Sequence, residues 1–238
     1  MTLNSTINPS KPTCNSCIEC QFHSTAAKCL SADQVKYMSL NSINADFDKG
    51  EIIIKQGAFS LNIVYLRTGL VKVHINGLTA KDHILKFVKA PAYIGLPTSI
   101  GDKINQFSVT AIEDSSVCFI DQKCFDDLLH ANENFSYEII VGLCKDELQC
   151  FKYSLYRTQK HVRGLMAEML LYFSREIYLS ETFNCPLSRY EAADFIGTSR
   201  ETVSRILSEF EKEKIIKIDG KQRIILDFER LDSICKNG

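Results

Sequence analysis

A chain of 238 residues, 45% hydrophobic and 24% charged, is long enough for one large or two modest globular domains with their own cores. A formal net charge of −1 excludes the overall basic excess that drives non-specific binding to nucleic acid, so any contact with DNA has to come from local placement of charge. The opening MTLNSTINPSKP has no basic stretch followed by an apolar one, and no later run approaches the ~18 apolar residues of a membrane span, which predicts a cytoplasmic protein with no membrane partner.

In a reducing compartment, ten cysteines are not a disulfide framework. Four of them, Cys14, Cys17, Cys20 and Cys29, crowd into the segment CNSCIECQFHSTAAKC. Thiols this close point to metal or redox chemistry. C-x2-C is a zinc-knuckle spacing, and four thiolates satisfy zinc with no further ligand. The run Cys14, Cys17, Cys20 also has the C-x2-C-x2-C spacing of bacterial ferredoxins and can hold three corners of an iron–sulfur cluster. A thiol oxidoreductase places C-x-x-C at a helix start inside a thioredoxin-like βαβ pattern, and no such pattern follows. Unliganded cysteines are the bland alternative. His23, inside the segment, reads as a bystander.

Next, LSADQVKYMSLN reads as a short amphipathic helix with Leu30, Val35, Met38 and Leu40 on its apolar side. From Ala45 to about Asp121, short β-rich runs such as EIIIKQG, IVYLRTG and LVKVHING are separated by turn signals, which predicts an antiparallel β-roll. Gly50, Gly57, Gly69, Gly77 and Gly95 fall at run ends, where a positive φ is useful. QKCFDDLLHANENF then turns helical, and a long periodic segment runs from about Glu133 to Thr158. Its apolar stripe is Ile140, Cys144, Leu148, Phe151 and Leu155. Texture alone favours a core helix of one chain. A long helix between two domains is also a natural dimer seam, because its stripe can pair with its own symmetry mate. The remaining cysteines, Cys124, Cys144, Cys150, Cys185 and Cys235, read as small apolar residues.

GLMAEMLLYFSRE is another apolar helix, followed by the loop YLSETFNCP. LSRYEAADFIG starts with Ser188 and has Glu191 three positions on, a capping box. Gly197 turns the chain, and Thr198 with Glu201 repeats the capping signature. The helix that follows buries Val203, Ile206, Leu207 and Phe210. Two short helices around a tight glycine turn predict a helix-turn-helix. IKIDGKQRIIL adds a hairpin around Asp-Gly, which makes the motif winged. The chain therefore divides into a cysteine-rich segment over 1–30, a β-roll over 31–130, a long helix over 131–160 and a winged helix-turn-helix over 161–238, an α+β architecture.

Arg200, Glu201, Ser204 and Arg205 lie opposite the apolar stripe of the second helix, free to enter a major groove, with Thr198 and Ser199 at the turn before them. Arginine can bond bidentately to guanine O6 and N7, and glutamate can accept from cytosine N4. The competing reading is a surface ion pair between Glu201 and Arg205, at i and i+4.

The segment GTSRETVSRILSEFEKEKII closely resembles the recognition segment of the CRP/FNR family of bacterial transcription regulators, and GEIIIKQG with IVYLRTGLVKV resembles the family's β-roll. The resemblance implies a homodimeric regulator, not an enzyme, that binds palindromic double-stranded DNA and works with RNA polymerase. It implies that Arg200, Glu201 and Arg205 contact bases, with Ser204 where the FNR branch has serine. In the cyclic-AMP branch a glutamate binds the ribose and an Arg-Ser pair binds the phosphate. Here Leu96 stands at the first place, and Gln106 to Ser108 offers no arginine, which argues against a cyclic phosphate. In the FNR branch, three N-terminal cysteines and one β-roll cysteine hold a [4Fe-4S] cluster. Cys118, in SSVCFIDQKCFDDL, falls at the β-roll place. The branch's C-x2-C-x5-C differs from the spacing of Cys14, Cys17, Cys20 and Cys29, so the three front ligands stay open among these four. The functional expectation is oxygen or redox sensing through that cluster. Zinc, direct thiol chemistry, no metal at all, and a nucleotide or haem effector are the alternatives.

Overall fold

The computed structural model describes residues 20–21, 23–76 and 82–237. Cys14, Cys17 and Gly77 lie outside the described residues. Eight strands follow one short helix: β1 (Ser42–Phe47), β2 (Ile52–Ile54), β3 (Asn62–Thr68), β4 (Leu70–Asn76), β5 (Asp82–Lys89), β6 (Ala92–Ile94), β7 (Ser108–Ala111) and β8 (Ser115–Asp121). They form two four-stranded antiparallel sheets, ordered β1-β8-β3-β6 and β2-β7-β4-β5. This is the expected β-roll, begun at Ser42, slightly ahead of Ala45.

Strand alternation decides what each face does. Val64, Leu66 and Val117 of the first sheet pack with Val71, Val73 and Val109 of the second, filling the roll. Their neighbours Ile63, Tyr65, Cys118 and Ile120 belong to a different cluster, with Ala27, Met38, Phe125, Phe135 and Ile139. Cys118 thus sits on the outer face of its sheet, beneath the helices. Gly69, between β3 and β4, has φ +96°, and a Cβ there would lie 2.3 Å from Ser115 Oγ and 2.6 Å from the Asp114 carbonyl oxygen. Only glycine fits that corner.

Helix α1 (Ala32–Leu40) starts from a capping box between Ser31 and Gln34. Met38 is buried, but Leu40 is 77% exposed, contrary to the expected apolar side. Two positions along a helix turn a side chain by roughly 200°, onto the opposite face. Asp121 caps α2 (Gln122–Ala131), and Asn132 caps the long α3 (Glu133–Gln159). Phe135 and Ile139 anchor α3 against the roll. Beyond them the helix leaves the core. Ile140 is 55% exposed, Leu148 66%, Phe151 61% and Leu155 49%, and Cys144 is exposed as well. The stripe therefore does not serve the chain's own core.

Helix α4 (Val162–Tyr172) runs on into a wider helical segment, Phe173–Tyr178. Then come β9 (Thr182–Asn184), α5 (Arg189–Ile196), α6 (Arg200–Lys212), β10 (Ile216–Asp219), β11 (Gln222–Ile225) and α7 (Phe228–Asn237). The three strands form one sheet, ordered β10-β11-β9, so part of the expected loop YLSETFNCP is a strand added to the wing. This C-terminal unit shares a core with Leu70, Ile84, Phe87 and Ile112 of the roll. Polar ties reinforce the seam: Lys72 Nζ lies 2.7 Å from Glu191 Oε1, and Arg157 Nη2 donates to the carbonyls of Ile84 (2.9 Å) and Phe195 (3.1 Å). Of the cysteines expected to be apolar filler, Cys124 and Cys185 are buried, whereas Cys144 and Cys150 lie exposed on α3. Cys235 is buried in polar company, its Sγ 2.8 Å from Glu168 Oε2 and 3.0 Å from Lys160 Nζ.

Candidate nucleic-acid interface and cysteine site

Helices α5 and α6 are joined by Gly197 at φ +73°, a left-handed turn that Gly adopts without strain. Ser188 and Glu191 form the expected capping box of α5. The cap of α6 is Ser199, whose side chain accepts from the Thr202 amide; Thr198 is not the cap. The chain needs one more residue after Gly197 to leave the left-handed turn, so the extended cap conformation falls on Ser199, at φ −94° and ψ 155°. Val203, Ile206, Leu207 and Phe210 are all buried, as the periodicity predicts. The opposite face carries Arg200, Glu201 and Arg205, all exposed, with Ser204 half-buried between them.

Glu201 and Arg205 do not pair in the manner of the competing reading. Arg205 Nη1 lies 2.6 Å from Glu209 Oε1, one turn further on. Glu201 is bonded at the helix start, where its own backbone amide, then the Ser199 side chain, holds its carboxyl below the usual range. Arg200 lies over the Tyr190 ring, 4.9 Å from its centroid, and donates to its hydroxyl at 3.2 Å. The face thus presents two exposed guanidinium groups and one exposed carboxylate in the N-terminal half of α6. The hairpin β10–β11 stands in the same unit as the wing.

The second site lies on the outer face of the first sheet. Cys20 and Cys118 border one small cavity together with His23, Asn44, Tyr65 and Arg67. Tyr65 is the register partner of Cys118 across β3 and β8, and Asn44 its partner across β1. Burial, followed by the nearby Tyr93, Cys20 and Cys118, pushes the Tyr65 hydroxyl above the usual phenol range. Ser24 Oγ lies 3.2 Å from Tyr93 Oη and fastens the front segment over the sheet. Cys29 is not on the cavity; its Sγ donates to the Thr25 carbonyl at 3.6 Å. No cluster of three or more His, Cys, Asp or Glu able to hold a metal occurs among the described residues.

Two thiols from distant parts of the chain meet on this cavity, half of what a four-thiolate group takes, and the same cavity is bordered by a buried arginine whose Nε and Nη2 have no hydrogen-bond partner among the described residues. The cavity, about 30 Å3, has room for a water or two. Neither Tyr65 nor Arg67 was singled out in the sequence reading. The signal was the alternation Ile63, Tyr65, Arg67 on one face of an otherwise apolar strand.

A larger cleft of about 1240 Å3 lies between the roll and α3, bordered among others by Tyr93, Leu96, Ile139 and Lys145. Leu96 is buried, Ser108 Oγ accepts from the Gln56 amide at 3.0 Å, and Gln106 is turned to Asp102.

The cyclic nucleotide-binding domain family matches residues 45–132, and the Crp-like helix-turn-helix domain family matches residues 166–234. The transcriptional activator protein FnrL of Cereibacter sphaeroides is 25% identical over 227 residues, 90% of each chain. The fumarate and nitrate reduction regulatory protein of Vibrio cholerae is 24% identical over 187 residues, 77% of this chain and 74% of that one. The structure of FixK2 from Bradyrhizobium japonicum has the same fold, with a TM-score of 0.74 at 20% identity over 81% of this chain and 96% of that one. Matches to both domain families, in the order roll, long helix and DNA-binding helix-turn-helix, identify a transcription regulator and not an enzyme, in a family whose members are dimeric: the chain belongs to the CRP/FNR family.

Proposed function

We propose that the chain is an oxygen- or redox-responsive regulator that binds a two-fold symmetric DNA site as a homodimer, through a metal–thiolate group held by Cys118 and three front cysteines. The observation that carries it is the shared cavity of Cys20 and Cys118, since a ligand from the folded roll is what couples a terminal segment to the rest of the chain. The names of the relatives, FnrL and fumarate and nitrate reduction regulatory protein, favour the same reading. The position of Cys29 off the cavity favours Cys14, Cys17 and Cys20 as the front ligands. When bound, a [4Fe-4S] group supplies an oxygen-labile cross-link between segment and roll.

The chain's own residues carry the consequence onward. Asn132 accepts from the Phe135 amide at 2.9 Å as the cap of α3. Its Nδ2 donates to the Cys29 carbonyl at 3.0 Å and to Gln34 Oε1 at 2.9 Å. One side chain thus joins the cysteine segment to the start of the helix whose exposed stripe, Ile140, Cys144, Leu148, Phe151 and Leu155, pairs with a second copy. Holding the segment in place favours the paired helices by its preference for that state. In the dimer, Arg200, Glu201, Ser204 and Arg205 read base edges, with Thr198 and Ser199 beside the phosphates. The domain limits 1–30, 31–130, 131–160 and 161–238, a cytoplasmic setting and RNA polymerase as partner belong to the same proposal.

The test is fluorescence anisotropy with duplexes selected by the anaerobic protein. The selected sites should be palindromes with half-site centres ~34 Å apart, and binding should weaken on exposure to air. Glu201→Ala should relax preference at a single C·G pair by ~1–3 kcal/mol. Binding unchanged by air, or a colourless protein loaded with zinc, overturns the iron–sulfur reading.

A further inference from the structure

The first turns of α5 and α6 touch through Tyr190, the second residue of α5, and Arg200, the first of α6. The Arg200 guanidinium lies over the Tyr190 ring, 4.9 Å from its centroid, within the range of a cation–π contact. Its Nη1 also donates to the phenol oxygen at 3.2 Å. Tyr190 is 62% exposed, so its ring adds little to the core of the unit. Stacking fixes the plane of the guanidinium, and the hydrogen bond fixes its rotation within that plane.

The two arginines of the α6 face are therefore held in different ways. Arg205 is tied to the carboxylate of Glu209, which offsets its charge. Arg200 is held by a neutral phenol, which does not. The contact takes one of the five N–H groups of the guanidinium, on Nη1. It does not use the edge formed by Nε and Nη2, and two N–H groups on one edge are what guanine O6 and N7 accept. Arginine has many rotamers, and fixing them at the moment of binding costs affinity. A side chain already fixed loses less, and it discriminates more sharply because it cannot swing to the acceptors of a wrong base.

We propose that Tyr190 is a positioning residue of the DNA-reading surface: it presents Arg200 in one orientation and so sets how strictly a single G·C pair in each half-site is required. The inference rests on the reading that α6 enters the major groove with Arg200 towards a base. It deepens that reading by naming a residue outside α6 that governs specificity.

The experiment uses the full-length protein prepared without oxygen. Anisotropy is measured on a selected palindromic duplex and on duplexes with each base pair of the half-site replaced in turn. Arg200→Ala identifies the pair that Arg200 reads, by lowering discrimination there about tenfold or more. Tyr190→Leu should lower discrimination at that same pair about fivefold and leave the other pairs as in the parent. Tyr190→Phe, which keeps the ring and loses the hydroxyl, should lie between Tyr190→Leu and the parent. In the Arg200→Ala background, Tyr190→Leu should change nothing further. No Tyr190 variant alters a charge, so the slope of affinity against salt should stay that of the parent. Parent discrimination in Tyr190→Leu, a loss spread evenly over every pair, or the same loss in the Arg200→Ala background overturns the proposal. Parent base preferences in Arg200→Ala overturn the underlying reading of Arg200 instead, and the role of Tyr190 with it.

Discussion

Asn132 offers the sharpest test of how the front segment speaks to the dimer helix, because its two ends do different work. The Oδ1 atom caps α3 through the Phe135 amide, whereas Nδ2 donates to Cys29 and Gln34. Asn132→Asp keeps the cap, since aspartate is as good an N-cap and its charge suits a helix start. It loses both donors and sets a carboxylate oxygen against two acceptors. Gln34 cannot relieve this by turning its amide, because its Oε1 also accepts from the Ser31 amide at 3.0 Å. Two hydrogen bonds at ~1 kcal/mol each give ~2 kcal/mol, roughly a thirtyfold change in any equilibrium that depends on the tie. Asn132→Ala loses these and the cap, a further ~1 kcal/mol. Hydrogen exchange should show the Phe135 amide protected in the Asp variant and opened in the Ala variant. DNA anisotropy should show that the ratio of anaerobic to aerated affinity shrinks in both. If Asn132→Asp keeps the parent's ratio, the coupling does not pass through this side chain.

Leu148→Glu places a charge in the exposed stripe of α3 opposite its own symmetry mate; sedimentation should find a folded monomer, at a cost to dimerisation of several kcal/mol per dimer, on the order of burying a large apolar side chain twice. Gly69→Ala, with its Cβ 2.3 Å from Ser115 Oγ, should cost ~3 kcal/mol or more in urea unfolding, whereas Gly197→Ala, at φ +73° with nothing within 4 Å, should cost ~1 kcal/mol. Burial raises the Glu191 pKa, but Lys72 and Ser188 outweigh it and hold the carboxyl below its usual 4.5. Its contribution to the seam between roll and helix-turn-helix is therefore complete above pH ~4.5 and lost as the pH falls through the lower folded value. Glu191→Gln should flatten that part of the stability–pH curve.

Much of this architecture was legible because strong local signals agreed with the global arrangement. The Ser188–Glu191 capping box, the left-handed Gly197 and the buried quartet on α6 all appear where periodicity and capping chemistry put them. The cap at Ser199 was misplaced by one residue because Thr198 and Ser199 are both competent caps, and only the geometry after Gly197 chooses. Strand β9 is three residues long, too short for its single buried Phe183 to announce an alternation, and it pairs along the edge that β11 offers. Helix α7 did leave a signal, with Phe228, Leu231 and Cys235 on one side and Asp227 accepting from the Arg230 amide at 2.9 Å. For the cysteine site, spacing could raise the question but not select the ligands. Which thiols share a cavity depends on β8 pairing with β3 and on where the segment after Cys20 lands, both non-local. Arg67 is invisible to motif reading for the same reason, since an arginine in a β run becomes unusual only once it is known to be buried.

The central claim is that Cys118 and the front cysteines hold one metal group together. Iron content per chain, measured on protein purified without oxygen, tests it with two variants. The account predicts about four iron atoms in the parent, loss of that iron in Cys118→Ser, and its retention in Cys29→Ser. Full iron in Cys118→Ser would contradict the account.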